Sequence, residues 1–231
     1  MYNKIEIADF HAHILPCADH GSDSLETSLW QLRSAANRGV TRIIATPHFY
    51  SHRHTVEAFA KRRDDAYNAL KDHIPNGIDI KLGAEALICH GFENLPEIEK
   101  LFIEGTKTLL LELPDADFQD CYCDTVSELV KRNIDIIIAH ADRYHAENID
   151  LLIKSGAKLQ LNASSVLGLF KRRDVYAWLK AGVVVALGSD IHEKDSRAYR
   201  QFSRAIKRIE KYSNTIKKQT DYIWNQSETK K

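Results

Sequence analysis

The 231-residue sequence has little of what marks several protein classes. Its longest purely apolar stretch, Ala181 to Gly188, is far below the roughly 18 residues of a membrane-spanning helix, so no membrane insertion is expected. The first residues, MYNKIEIADFHAH, contain acidic side chains and no apolar leader core, which points to a cytoplasmic protein. Four cysteines, Cys17, Cys89, Cys121 and Cys123, make no C-x-x-C pair; reduced thiols are expected rather than a disulfide framework. Neither sign of charge is in excess, with 32 Lys+Arg against 32 Asp+Glu, which argues against a nucleic-acid partner or an anionic membrane surface. Nor is there a Pro/Gly/Ser-rich linker or an internal repeat, so residues 1–231 read as one domain. Its end, basic from Arg204 onward and closing in NQSETKK, reads as a solvated final helix whose last ten or so residues form a tail. Histidine is the residue in surplus, at eleven.

Short apolar runs alternate with amphipathic stretches throughout. The runs 5–10, 42–46, 78–84, 108–113, 134–139, 158–162 and 183–188 read as buried strands. Asp23 with Glu26 reads as a helix start, followed by Leu25, Leu29, Leu32 and Ala36 on one face and by Gly39 as a stop. Further faces are Val56, Phe59, Ala60, Tyr67 and Leu70; Val126, Leu129 and Val130; and Tyr199, Phe202, Ile206 and Ile209. Strand–helix alternation means an α/β fold with a parallel sheet covered by helices. Seven short strands favour a small closed or nearly closed barrel, with an open doubly wound sheet as the alternative.

In parallel α/β folds chemistry gathers at the carboxyl ends of the strands. Those ends carry His11 and His13 (with His20 in the next loop), His48, Glu85, Glu112, His140, Asn162, and Asp190 with His192. His-x-His and Asp-x-His each place two ligand types on one side of an extended chain. Nine imidazoles and carboxylates exceed what one ion can coordinate, so two to three divalent metal ions are expected, with Mn, Fe or Zn suited to mixed ligation. A cysteine phosphatase is excluded, because its phosphate loop needs Arg six positions after Cys; here Asp23, Leu95, Ser127 and Leu129 stand there. Cys17 reads as a small buried bystander, Asn162 as a ligand-orienting residue or a turn cap, and His52, His54, His73, His90 and His145 as structural or surface residues.

The segments ADFHAHILP, ATPH, GAE, LLLELP, IIAHADRY, LQLNASSVLG and GSDIH, in order from Ala8 and followed by Arg197, resemble the PHP (polymerase and histidinol phosphatase) family. Within it they are most similar to the capsule-associated, manganese-dependent tyrosine-protein phosphatases of bacteria. The resemblance implies a distorted seven-stranded (β/α)7 barrel and three metals. It assigns His11, His13, Glu85 and Asp190 to one metal, Glu85, Glu112 and His140 to a second, and His20, His48 and His192 to a third. It also implies that Arg143 and Arg197 bind substrate phosphate, that a metal-activated hydroxide attacks it, and that the substrate is a phosphotyrosine protein such as a bacterial tyrosine kinase of polysaccharide synthesis. A homo-oligomer is compatible with it. Departures lie in Asp19-His20-Gly21, where that branch has Asp-Asp-Gly, in Asp142-Arg143-Tyr144, in Ala198 in place of proline, and in the missing tyrosine after Glu85. They bear on substrate identity more than on chemistry. The rival readings are a PHP phosphatase of a small molecule such as histidinol phosphate, a TatD- or amidohydrolase-like metal hydrolase, and a non-enzymatic binding module.

Overall fold

The computed structural model describes residues 5–115, 118–168 and 173–225. The first half runs β1 (Asp9–Ala12), α1 (Leu25–Ala36), β2 (Arg42–Ala45), β3 (His48–Phe49), α2 (Val56–Leu70), β4 (Asp79–Leu82), β5 (Glu85–Leu87) and β6 (Thr108–Glu112). The second half runs α3 (Cys121–Lys131), β7 (Asp135–Ile138), α4 (Ala146–Lys154), β8 (Lys158–Asn162), α5 (Ala163–Leu167), α6 (Arg173–Ala181), β9 (Val184–Gly188), α7 (Ala198–Arg208) and α8 (Asn214–Asn225). All pairings between these strands are parallel, in sheets ordered β1-β2-β4 and β3-β5-β6-β7-β8-β9. The strands are apolar along their length because helices and the opposite wall cover both faces; Leu109–Leu111 and Ile136–Ile138 are all buried.

Two of the expected strands continue, after a break, beyond the ends of their apolar runs. The run 42–46 resumes as β3 beyond Thr46-Pro47, and the run 78–84 resumes as β5 beyond Gly83-Ala84. Pro47 has no N–H to give to a ladder, so the pairing steps across it: Gly83 N donates to Ala45 O (2.9 Å) and Glu85 N to Pro47 O (3.1 Å). At the far edge, Asp190 N donates to His11 O (2.8 Å) and His13 N to Ile191 O (3.2 Å), so the segment after β9 meets the end of β1. The first strand starts at Asp9 rather than at Ile5, since the Ala8 N–H donates to Thr220 Oγ1 (3.2 Å).

Helix faces follow the periodicity in α2, where Val56, Phe59, Ala60 and Leu70 are buried, and in α7, where Tyr199 and Phe202 are. Each such large apolar side chain contributes about 1.5–3 kcal/mol on burial. α1 departs from expectation. Its cap is Ser24, whose side chain accepts from Thr27 N (3.2 Å), while Asp23 accepts from the Thr27 hydroxyl (2.6 Å). It buries Thr27, Ser28, Gln31, Leu32 and Ala35, leaving Ala36 exposed, because this face meets polar loops: Gln31 Nε2 donates to Gly21 O (3.1 Å) and Glu193 O (2.9 Å).

The final helix is not simply solvated. α8 buries Ile216, Gln219, Thr220, Ile223 and Trp224 against the amino ends of the strands. Thr215 Oγ1 donates to Val184 O (2.8 Å) at the start of β9, and Trp224 Nε1 to Asp79 Oδ2 (2.5 Å) at the start of β4. Of the expected tail, residues 222–225 complete α8 and residues 226–231 lie outside the described part.

Candidate metal centre

The polar strand ends converge at the end opposite α8. His11 lies on β1, with His13 just beyond it; His48 opens β3, Glu85 opens β5, Glu112 closes β6, and His140, Asp190 and His192 follow β7 and β9. Glu85 is the hub. Its Oε2 lies 3.1 Å from His11 Nε2, 3.2 Å from His13 Nε2 and 3.0 Å from His48 Nδ1, and its Oε1 lies 2.7 Å from His140 Nε2. Asp190 Oδ1 stands 3.6 Å from His11 Nε2, 3.7 Å from His13 Nε2 and 3.5 Å from His192 Nδ1. Glu112 reaches within 3.6 Å of His140 and 3.7 Å of His48.

Charge in this buried space is mutually supported. Burial raises the Glu85 carboxyl, yet the imidazoles of His11, His13 and His140 outweigh it and hold the group well below the carboxylate range. Asp190 is likewise brought to about 2, with burial opposed by His11, His13 and Arg143. Burial depresses His13, but Asp19 and Glu85 more than reverse that and leave it well above the usual imidazole value. His192 falls to about 4, through burial and the neighbouring His13 charge. Positive charge therefore belongs where these side chains meet.

The donor set suits divalent ions. His11 Nε2 and His13 Nε2 lie only 2.9 Å apart, and buried Glu85 Oε2 and His48 Nδ1 have no aligned hydrogen-bond partner although they are 3.0 Å apart. Four overlapping trios bring their ligand atoms within 4.8 Å of one another: His11-Glu85-His140, His11-His13-Asp190, His48-Glu85-Glu112 and His13-His48-His192. Buried nitrogens and carboxylate oxygens crowded together in this way fit Mn, Fe or Zn better than a hydrogen-bond network.

The structure brings together eight of the nine expected ligands as donor trios and sets His20 alongside them. His20 is exposed; its ring stacks on His48 (4.8 Å, 12°) and His192 (4.9 Å, 28°), and His13 occupies its place in the last trio. Arg143 is exposed and donates to Asp190 Oδ2 at the rim. Arg197 is exposed, and its Nε pairs with Asp195 Oδ1 at 3.4 Å. His52, His54, His73, His90 and His145 are exposed, as expected. Cys17 is exposed rather than buried; it sits at positive φ in the loop after His13, its thiol donating to Asp23 O (3.1 Å).

Beyond Asn162, which takes the ligand-orienting role of its two expected ones, Asp19 and Gln160 also hold the ligands. Asp19 Oδ2 accepts from His13 Nδ1 (2.7 Å) and His48 N (2.9 Å), and its Oδ1 accepts from Gly21 N (2.8 Å). On β8, Gln160 Oε1 accepts from His140 N (2.6 Å) and faces His11 Nδ1 at 3.1 Å. A backbone N–H can only donate, so this contact fixes the amide orientation. The Gln160 amide nitrogen therefore donates to Asn162 Oδ1 (3.0 Å), and Asn162 Nδ2 to Asp190 Oδ2 (2.9 Å). The same orientation makes His11 Nδ1 an N–H, so that the neutral ring would present its Nε2 lone pair to a metal. Two polar residues at period two in the apolar strand LQLN were the available signal. Two glycines make room. A Cβ on Gly21 would stand 2.0 Å from His13 Cβ, and one on Gly188 2.6 Å from both His11 Cβ and Gln160 Nε2.

Comparison with known proteins gives the family of the chain. Residues 7–228 match the model of the CpsB/CapC family of capsular polysaccharide synthesis. Tyrosine-protein phosphatase YwqE of Bacillus subtilis is 29% identical over 204 residues, covering 83% of this chain and 79% of its own. CapC of Staphylococcus aureus, whose name assigns it provisionally to the same activity, is 30% identical over 208 residues, covering 84% and 80%. A crystal structure from a study of YwqE and of CpsB from Streptococcus pneumoniae, described as metal-dependent tyrosine phosphatases, superposes with a TM-score of 0.76 at 23% identity, covering 97% of this chain and 96% of that one. The Listeria monocytogenes lactonase Lmo2620 shares only the outline of the fold, with a TM-score of 0.51 at 13% identity and coverage of 93% and 91%. The match over nearly the whole length places the chain in the CpsB/CapC family.

Proposed function

We propose that this protein is a metal-dependent protein-tyrosine phosphatase of the cytoplasm, acting on a bacterial tyrosine kinase of capsule or exopolysaccharide synthesis. The observation that carries the reading is the convergence of His11, His13, His48 and His140 on Glu85, in a chain of the CpsB/CapC family. We read residues 1–231 as one domain and the two sheets as one distorted seven-stranded barrel. The hydrogen bonds Glu85 N to Pro47 O and Asp190 N to His11 O support counting β2 with β3, and β4 with β5, as single strands and joining the last strand to the first.

Two or three ions, Mn by preference and Fe or Zn otherwise, would be held by His11, His13, Glu85, Asp190, Glu112, His140, His48 and His192, with His20 at the edge. When bound, such ions supply positive charge for a phosphate dianion and make a water acidic enough to serve as nucleophile near neutral pH. The chain's own residues do the rest. Asp19 and Gln160 hold the imidazoles of His13 and His11 with Nε2 inward. Arg143, exposed beside Asp190, offers a planar guanidinium for two phosphate oxygens. Arg197 is assigned the same role; the half-buried Asp195 it pairs with at the surface holds it by less than about 1 kcal/mol. A tyrosyl leaving group has a pKa near 10 and needs little acid assistance. Tyr144 is no base, since burial and Glu112 push its phenol above the usual range.

The test is hydrolysis of a panel of phosphopeptides by the metal-reconstituted chain, with a chelator control. Phosphotyrosine peptides are the expected substrates and chelation ends turnover; faster turnover of histidinol phosphate than of any phosphotyrosine peptide contradicts the reading. Arg143→Ala and His48→Ala should each abolish aryl phosphate hydrolysis while circular dichroism stays unchanged.

A further inference from the structure

A cavity of about 310 Å³ adjoins the ligand cluster. Leu113, Pro114, Phe118, Tyr122, Arg143 and Tyr144 form most of its wall. Two of these residues also touch the cluster: Arg143 donates to Asp190, and the Tyr144 hydroxyl lies 3.2 Å from His140 Nδ1. The cavity therefore opens where the expected ligands end. Its walls are held in place. The Tyr144 hydroxyl accepts from Leu113 N and donates to Leu113 O, both at 3.1 Å, which pins the loop after β6. Phe118 packs edge-to-face on Tyr122 at the head of α3, with ring centroids 5.7 Å apart at 86°.

We infer that this cleft seats the aromatic ring of the substrate's phosphotyrosine, with the phosphate at Arg143; the inference rests on the phosphatase reading above. Leu113, Phe118, Tyr122 and Tyr144 beside a guanidinium at the cluster end match a flat apolar ring carrying a dianion at one end, with His145 and Asn148 completing the lining. Asp115 on the rim disfavours a second anion farther along. A phosphoserine, whose phosphate hangs on one methylene, leaves the cleft empty. Phe118 is then a residue that selects aryl over alkyl phosphates, separately from the groups that bind phosphate.

The test compares phenylphosphonate with methylphosphonate as ligands of the metal-loaded full-length chain by calorimetry. These probes are not hydrolysed, so the result is independent of turnover. The wild type should bind phenylphosphonate about tenfold or more tightly than methylphosphonate. Phe118→Ala should remove that preference while methylphosphonate affinity stays within about twofold, and Phe118→Leu should retain part of it. Equal affinities in the wild type, or a preference unchanged in both variants, overturns the assignment. Parallel assays with phenyl phosphate separate the two levels. Hydrolysis without a Phe118-dependent preference sinks the subsite alone, whereas absence of any monoester hydrolysis sinks the phosphatase reading.

Discussion

Gln160 shows how much of the site depends on residues that would touch no metal. One carboxamide oxygen takes the His140 amide hydrogen and the His11 ring hydrogen, and its nitrogen passes the constraint through Asn162 to Asp190. Gln160→Leu removes the acceptor and leaves two buried donors unpaired. Metal affinity should drop by about 10–100-fold in a chelator competition, and unchanged affinity would show that the ring is held by packing alone. Gly188→Ala attacks the same point sterically, since the new Cβ falls 2.6 Å from both Gln160 and His11. Overpacking of this kind costs about 1–3 kcal/mol, readable as a lower urea midpoint at unchanged slope. Proton counting offers a further check. His11 and His13 are held protonated above the usual range by Glu85, Asp190 and Asp19, and ligation requires their neutral forms. Metal uptake should therefore release protons and weaken as pH falls, which calorimetry in buffers of different ionisation enthalpy measures; uptake without proton release contradicts the ligand set.

Among the elements, the strands were the most legible, because burial on both faces writes them as apolar runs and their carboxyl ends as abrupt polar residues. His48, Glu85 and His140 could be found from that break alone. What periodicity could not show is where a ladder changes partners: Pro47 reads as a turn signal, yet the chain continues in the same direction as β3. The inward face of α1 is legible at Leu25, Leu29 and Leu32 but not where it meets polar loops, for a related reason. Hydrophobic pattern assumes an apolar neighbour, whereas Gln31 packs on loop carbonyls at Gly21 and Glu193. His20 marks the same limit at the site itself, since the sequence gives its proximity to the ligands but not the side on which the ring lies. The final helix looked solvated because the stretch from Arg204 onward is basic, although Ile216, Thr220 and Ile223 form a buried stripe. Thr220→Val should therefore cost about 1–3 kcal/mol by denaturant unfolding, because the Ala8 N–H loses its acceptor. Metal content should not change, since α8 lies at the opposite end of the strands; loss of metal in this variant would mean that the two ends are coupled.

Across the whole molecule, formal neutrality and phosphate chemistry are compatible. Charge is partitioned: acidic and basic side chains balance over the whole sequence, while the ligand end concentrates imidazoles and carboxylates in one largely buried space with Arg143 exposed at its rim. Divalent ions added there make the pocket positive without altering the surface average. The core is large enough to hold the fold without them, so removing metal should end activity and leave the secondary structure in place. The most direct test is phosphate release from a phosphotyrosine peptide by the chain first stripped with chelator and then titrated with Mn²⁺, with bound metal counted in the same samples. The account predicts no turnover in the stripped protein, with native circular dichroism, and recovery as two to three ions per chain bind. Full turnover by the stripped protein, or no turnover at full metal loading, would contradict it.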